Sequence, residues 1–284
     1  MKSHPPTECA PARPSLVGPL RFLLPVALAS ALASQARAVN VDSEIVLLVD
    51  VTRPGLSDTQ FSQLMDGYAS AFTSTNVIDS IQSGYYGRVA VSMMFYGNTN
   101  TQIAGIQWME IGSLSQAQQF AAIARSLTMP FVTGSADVGA ALTAATLTFG
   151  TETGGTANGF ESVVQMVEVA TARRQPNQTA ATAAAGSDFA MNSGVDLINS
   201  LALGNQATQI DAFYEANVIG STIPGVSPTG TTSPINGTLA TTINSLFAET
   251  TQNGATASMN AIPEPNVLFG LVPAVFILFR RRRI

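Results

Sequence analysis

The chain has 284 residues, 46% hydrophobic and only 11% charged, which supplies enough apolar material for a sizeable core and argues against a disordered protein. Eight of its 13 basic residues lie at the ends (Lys2, Arg13, Arg21, Arg37 and Arg280 to Arg283), so the stretch from Val39 to Ile262 holds 5 bases against 16 acids, a formal charge of −11; such a surface repels nucleic acid, whose phosphates are bound chiefly through Lys and Arg. The only His, Cys and Lys are His4, Cys9 and Lys2, and their absence from the body excludes His-dependent triads, Cys nucleophiles, thiolate or imidazole metal sites, disulfides, lysine Schiff bases and a P-loop.

Residues 1–38 read as a secretory signal. Scattered basic residues run to Arg21, an apolar run covers Phe22 to Ala33, and Ala36-Arg37-Ala38 is a small-x-small cleavage site. The apolar run is shorter than the roughly 20 residues that a transmembrane helix needs. Cleavage after Ala38 is the simpler reading, an uncleaved anchor the alternative.

From Val39 the pattern alternates strand and helix. Glu44 to Val49 is a continuous apolar run that ends on Asp50, as expected of a buried strand delivering an acid to a sheet edge. Ligands of open α/β sheets sit beyond the carboxyl ends of the strands, so Asp50 is either part of a site or a residue that turns the chain. Ser57 is a candidate N-cap for a helix that keeps Phe61, Leu64, Tyr68 and Phe72 on one face. Arg88 to Tyr96 and Ile103 to Ile111 read as an antiparallel hairpin across Gly97-Asn98, forming the sheet edge. Ser115 to Leu127 and Val138 to Phe149 read as helices, Glu161 to Ala170 as a fourth core strand, Thr179 to Ser193 as an Ala-rich helix, and Val195 to Leu203 as a fifth strand. Ile210 to Val218 is a short element, 221–237 a Pro/Gly/Thr-rich loop, Leu239 to Glu249 a closing helix, and 251–262 a polar linker. Strands alternating with helices predict a mostly parallel sheet.

The C-terminus carries Pro263-Glu264-Pro265, a 13-residue, almost wholly apolar segment from Val267 to Phe279, then four arginines. As a helix that segment spans about 20 Å, short of a bilayer core of about 30 Å, and the arginines belong on the cytoplasmic side. This order resembles the PEP-CTERM sorting signal of Gram-negative bacteria. The resemblance implies export, recognition by an exosortase, transient membrane anchoring, and residence at the cell envelope, cell surface or extracellular matrix. An ordinary short anchor is the alternative. The resulting division is a signal peptide (1–38), one domain (39–250), a linker (251–262) and a sorting segment (263–284).

Over Val41 to Glu249 the body resembles the von Willebrand factor A-type fold, and more closely a bacterial family of uncharacterised A-domain-like proteins. The stretches that carry the resemblance are Ile45 to Thr52, Gly67 to Phe72, Gly87 to Val91, Trp108 with Ile111, Gly134 to Leu142, and Tyr214 to Gly220. It implies a Rossmann-like α/β fold with a mostly parallel central sheet, an antiparallel edge strand and helices on both faces. It also implies a metal-ion-dependent adhesion site above the sheet, built from an Asp-x-Ser-x-Ser loop, a Thr from a second loop and an Asp from a third. Asp50 matches the first Asp and Thr52 replaces the first Ser, but Pro54 stands at the second Ser, Ala136 at the Thr and Ala172 at the third-loop Asp. Ser135 and Asp137 are displaced neighbours. The expectation is a degraded site in which Asp50, Thr52, Ser135 and Asp137 are the remaining metal candidates, with no cofactor required and at most weak Mg2+ or Ca2+ binding.

The function expected is a noncatalytic surface or matrix protein that binds an extracellular protein or polysaccharide through the loops above the sheet. The alternatives are a purely structural biofilm or envelope component and a carboxylate-dependent hydrolase using Asp50 with Asp137. Trp108, alone in a strand, reads as packing rather than sugar stacking.

Overall fold

The structure is a computed structural model that describes residues 38–173 and 179–261. The expected signal peptide (1–38, apart from Ala38) and PEP-CTERM segment (263–284) lie outside the described residues. In chain order the strands are β1 (Val39–Val41), β2 (Glu44–Asp50), β3 (Thr52–Arg53), β4 (Val89–Tyr96), β5 (Gln102–Ile111), β6 (Val132–Thr133), β7 (Phe160–Ser162), β8 (Gln165–Thr171), β9 (Leu197–Leu203), β10 (Gly220–Ser221) and β11 (Gly230–Ser233). The helices are α1 (Asp58–Phe72), α2 (Thr75–Gln82), α3 (Leu114–Ser126), α4 (Val138–Thr146), α5 (Ala180–Asn192), α6 (Ala207–Asn217) and α7 (Leu239–Ala261). None of the described helices is long and apolar enough to cross a membrane.

The main sheet runs β10-β9-β8-β2-β4-β5, with β11 beside β9. Every pairing among β4, β2, β8 and β9 is parallel, and β5 closes one edge antiparallel to β4. β2 is buried along its whole length, which is why it reads as an unbroken apolar run rather than an alternation. Its even-numbered side chains, Val46 and Leu48, join the apolar cluster over which α4, α5 and α6 pack. Its odd-numbered ones, Ile45, Leu47 and Val49, face the cluster closed by α1, α2, α3 and α7. This is the α/β architecture expected: a mostly parallel sheet, an antiparallel edge and helices on both faces.

Local signals explain the element starts. Ser57 caps α1 in a full capping box, its hydroxyl accepting from Gln60 N while the Gln60 side chain accepts from Ser57 N. Ser74 starts α2, a helix absent from the sequence expectation although Val77, Ile78 and Ile81 form its buried stripe; at eight residues it is too short for periodicity to stand out. The stretch Glu161 to Ala170, expected as one strand, divides into β7, which pairs with β1, and β8, which enters the main sheet. The stretch 221–237, expected as loop, contains β11; Thr231 and Thr232 have no apolar alternation to announce it, and backbone pairing with the open edge of β9 makes the strand. The expected domain end at 250 and linker 251–262 are corrected over 251–261, which form the second half of α7. Thr251, Gly254, Ala255 and Ser258 are buried there, and the Ser258 hydroxyl donates to Asp42 Oδ1 at 2.7 Å. Small polar residues read as linker when nothing is known to pack against them.

Helices α4 and α5 cross at glycines. A Cβ on Gly186 would lie 2.4 Å from the Gly139 Cα, and one on Gly139 would lie 2.1 Å from the Thr182 carbonyl oxygen. Backbone cannot give way as a flexible side chain can, so Gly186→Ala should destabilise the domain by about 1–3 kcal/mol, measured by urea unfolding.

Two core acids add a pH dependence. Glu44 is fully buried and accepts from Asn158 Nδ2 (2.6 Å) and Ser162 Oγ (3.0 Å), yet burial pushes its carboxyl up from 4.5 to about 7. Glu168 lies on the α1/α7 side of β8; its carboxylate oxygens and the Tyr68 hydroxyl have no hydrogen-bond partner among the described residues, and burial raises the Glu168 carboxyl strongly. A carboxyl raised on folding contributes stability that is full below its unfolded value near 4.5 and is lost as pH rises through the folded one. For Glu44 that amounts to about 3 kcal/mol between roughly pH 4.5 and 7. Tm should therefore fall from pH 5 to pH 8, and Glu168→Gln should raise Tm at pH 8 more than at pH 5.

Candidate functional site

The carboxyl ends of β2, β8 and β9 and the loops that follow them define the face where a sheet of this order binds ligands. The order turns at β2: β4 continues to one side and β8 to the other, which makes the gap between β2 and β8 the topological switch point. Asp50 ends β2 at this gap and is 3% exposed. Its Oδ1 accepts from Thr52 N at 2.9 Å and Thr52 Oγ1 at 2.6 Å, and its Oδ2 accepts from Thr171 Oγ1, across the gap on β8, at 2.7 Å. Backbone and hydroxyl donors thus hold the acid, as a buried carboxylate requires.

Below it, the hydroxyls of Tyr96 and Tyr214 meet at 3.3 Å. Burial raises both phenols well above their usual range, and the charge of Asp50 raises them further, so both stay protonated. Asp50, Thr52, Thr171, Tyr96 and Tyr214 form one buried hydroxyl-rich cluster.

The second loop is brought alongside by a short parallel pair in which β3 lies against β6, Thr52 opposite Val132. The candidate residues of that loop have separate tasks. Asp137 is the N-cap of α4: its Oδ1 accepts from Ala140 N at 3.0 Å and its Oδ2 from the Thr99 hydroxyl at 2.7 Å. It is not bonded into the Asp50 cluster, so the two acids proposed from the sequence as a hydrolytic pair are each engaged by other partners. Ser135 is half-buried between β6 and α4. Ala136 is buried in the apolar cluster with Val138 and Leu142, and Ala172 packs against the opposite one. Pro54, at the second hydroxyl position, follows a cis peptide bond. As an ion cage this set offers two carboxylates, Asp50 already accepting from three donors and Asp137 engaged at the start of α4. No group of three or more His, Cys, Asp or Glu able to hold a metal occurs among the described residues.

Beside the cluster, a crevice of about 590 Å3 opens between the loops after β2, β8, β9 and β11. Pro54 and Gly55 line one wall, Asn205 and Gln206 another, and Arg173 enters from the third loop. The other described arginines are paired: Arg53 with Asp58, Arg88 with Glu110 and Arg125 with Asp66. Arg173 has no such partner among the described residues. Near this face Phe131 stands 80% exposed, with the Arg53 guanidinium 5.5 Å from its ring centroid. Sequence reasoning missed both Thr171 and Arg173. Thr171 adjoins the position where a ligand was sought, and only the β2–β8 pairing shows that its hydroxyl, not its neighbour's side chain, reaches Asp50.

Residues 40–233, more than half of the chain, match the family model described as "Protein of unknown function (DUF1194)". The chain belongs to that family. No curated protein matches this member in sequence. Solved structures similar to it include proximal thread matrix protein 1 from the mussel byssus, at 13% identity over 74% of this chain and 47% of that one, TM-score 0.49. A von Willebrand factor type A protein from Catenulispora acidiphila is 15% identical over 76% of this chain and 43% of that one, TM-score 0.45. The pilus adhesin SpaC from Lactobacillus rhamnosus GG is 11% identical over 78% and 31%, TM-score 0.47. The DUF1194 chain spans less than half the length of each.

Removing an acceptor from the cluster should be costly. Asp50→Asn turns a donor toward donors, and the domain should lose about 1.5–3 kcal/mol; Thr171→Val should lose about 1 kcal/mol. Urea unfolding of both variants checks the ranking.

Proposed function

We propose that this protein is an exported, noncatalytic recognition protein of the cell surface or extracellular matrix, and that its A-type domain captures an acidic group of an extracellular protein in the crevice above the sheet. The observation that carries this reading is Arg173, the described arginine without a carboxylate partner, placed in a large crevice at the switch point of an otherwise acidic domain. Exposed Phe131 adds an apolar anchor of the kind that dominates binding energy at protein interfaces.

The metal-ion-dependent adhesion site is degraded in this reading. In an intact site the ion's open coordination position accepts the partner's carboxylate; here a guanidinium, which pairs with a carboxylate through parallel N–H bonds, takes over that task. The donor set does not fit a divalent ion, because Pro54, Ala136 and Ala172 bring no oxygen ligand from their side chains and the carboxylate of Asp50 is already clasped. The signal-like start and the PEP-CTERM-like end support export, with the secretion machinery and an exosortase as the partners proposed in transit. The hydrolase alternative loses support because Asp50 and Asp137 are each engaged elsewhere.

The test is retention of the purified protein on matrix extracted from its own cells. Retention should be saturable, unchanged by EDTA, and about tenfold weaker in Arg173→Ala, the loss of one charged pair; Phe131→Ala should weaken it without changing Tm. A lack of saturable retention favours the purely structural role. Saturable Mg2+ or Ca2+ heat in calorimetry that disappears in Asp50→Ala would overturn the metal-independent reading.

A further inference from the structure

The edge hairpin carries a second cavity, of about 490 Å3, on the face of the sheet opposite α3. Its origin is geometric. Along the β4–β5 ladder Val91 faces Met109, Met93 faces Ile106 and Met94 faces Ala104. Between the first two pairs β4 advances two residues and β5 three; between the second two, β4 advances one and β5 two. β5 therefore holds two extra residues, and Ser92 is opposed by both Gln107 and Trp108. Bulges of this kind bend an edge strand and re-aim its side chains. Gly105 sits at the other one, where a Cβ would come within 3.0 Å of the Phe95 ring. On this side α4 stops at Thr146, and the chain after it, through Leu147 and Thr148, forms the far wall.

The Trp108 ring is anchored from behind. It packs against Phe149 and Phe160 at centroid distances of 5.6 and 6.5 Å, and its Nε1 donates to the Thr148 carbonyl at 3.0 Å. Packing accounts for that side, as the sequence predicts, and the same residue also lines the cavity. Met94 and Leu147 complete the apolar wall, with Leu147 45% exposed. Gln102, Gln107, Thr148 and Thr156 supply amides and hydroxyls, Asn158 is held from behind by Glu44, Thr148 and Phe160, and no lining residue is charged.

We propose that this bulged hairpin is a binding site for a neutral saccharide, whose C–H face lies on Trp108 while its hydroxyls meet the amide and hydroxyl rim. An apolar wall with a few uncharged polar groups suits a ligand that has both kinds of surface. Charge decides between sugars: the site offers a uronate or sulfate no cation, and the surrounding domain is acidic. The proposal is independent of the crevice at Arg173.

Trp108 is the single tryptophan of the chain, so tryptophan emission, excited selectively over that of tyrosine, reports on this cavity. Cellobiose, maltose and diacetylchitobiose, titrated into the full chain, should include at least one that shifts the emission saturably. Gln107→Ala, at an exposed position, should weaken that sugar about tenfold, and Trp108→Phe, followed by calorimetry, by a similar factor. Digalacturonate should leave the emission unchanged. The proposal is overturned if no neutral sugar gives a saturable shift, if Gln107→Ala binds as tightly as the parent, if digalacturonate binds equally well, or if only an aromatic peptide shifts the emission. Because the readout is local to Trp108, a negative result leaves the Arg173 reading standing, and failure of matrix retention leaves this one standing.

Discussion

The architecture depends on β2 being hydrogen-bonded on both sides, to β4 from Glu44 through Asp50 and to β8 from Glu44 through Val49, in one continuous parallel register. A strand with two neighbours and two covered faces has no route to water, so every side chain on it must be apolar or fully partnered. That constraint places Ile45 to Val49 in the two cores and leaves the acids Glu44 and Asp50 at the two ends. Each end is satisfied by residues brought from far along the chain: Asn158 and Ser162 at Glu44, Thr171 at Asp50. The register of a single strand thus fixes both the lower edge of the sheet and the cluster from which the upper loops depart.

The charge balance of the molecule follows the same logic. The described domain has no lysine or histidine and few arginines, so hydroxyls and backbone N–H groups carry much of the task of holding its buried acids. They are held by hydroxyls and backbone N–H groups, as at Asp50 and at Asp42, which accepts from Tyr86 N, Arg88 N and Ser258 Oγ, or burial drives them toward the neutral form, as at Glu168. In such a background Arg173, which has no carboxylate partner among the described residues, is conspicuous. The two cavities differ in charge, the crevice being lined by Arg173 and the hairpin cavity by uncharged residues, and this difference underlies the two ligand classes proposed for them.

The two faces of the sheet also differ in how closely helices approach. On one side bulky side chains fill the space, with Phe72 packed against both Phe120 and Phe247. On the other, Gly139 and Gly186 let α4 and α5 come together backbone to backbone, and the Ala-rich segments around them are short of side-chain volume by design of the fold. Where α4 ends, no described element of similar bulk replaces it over the bulged hairpin, and the cavity lies there beside Trp108.

The sequence by itself determined the class of fold, because the pattern of apolar residues is local information: the run Ile45 to Val49, the alternation Val89, Val91, Met93 and Phe95, and the Ser57 cap each dictate their element without reference to the rest. It also determined which chemistries are absent, since a missing His, Cys or Lys needs no geometry to be missing. It did not disclose α7 beyond 250, β11, or the division between β7 and β8, whose residues are small or polar and take their structure from what they meet: the Asp42 carboxylate, the open edge of β9, the side of β1. The candidate site was half legible. Asp50 and Thr52 stand close in sequence and bond as neighbours, whereas Thr171 and Tyr214 reach the cluster only because the strands lie in parallel register, and Arg173 and Trp108 acquire their cavities from loops and bulges. Local patterns fix elements because they depend on nearest-neighbour sterics and burial; sites are assembled from residues over a hundred positions apart, and that proximity exists only once the sheet has formed.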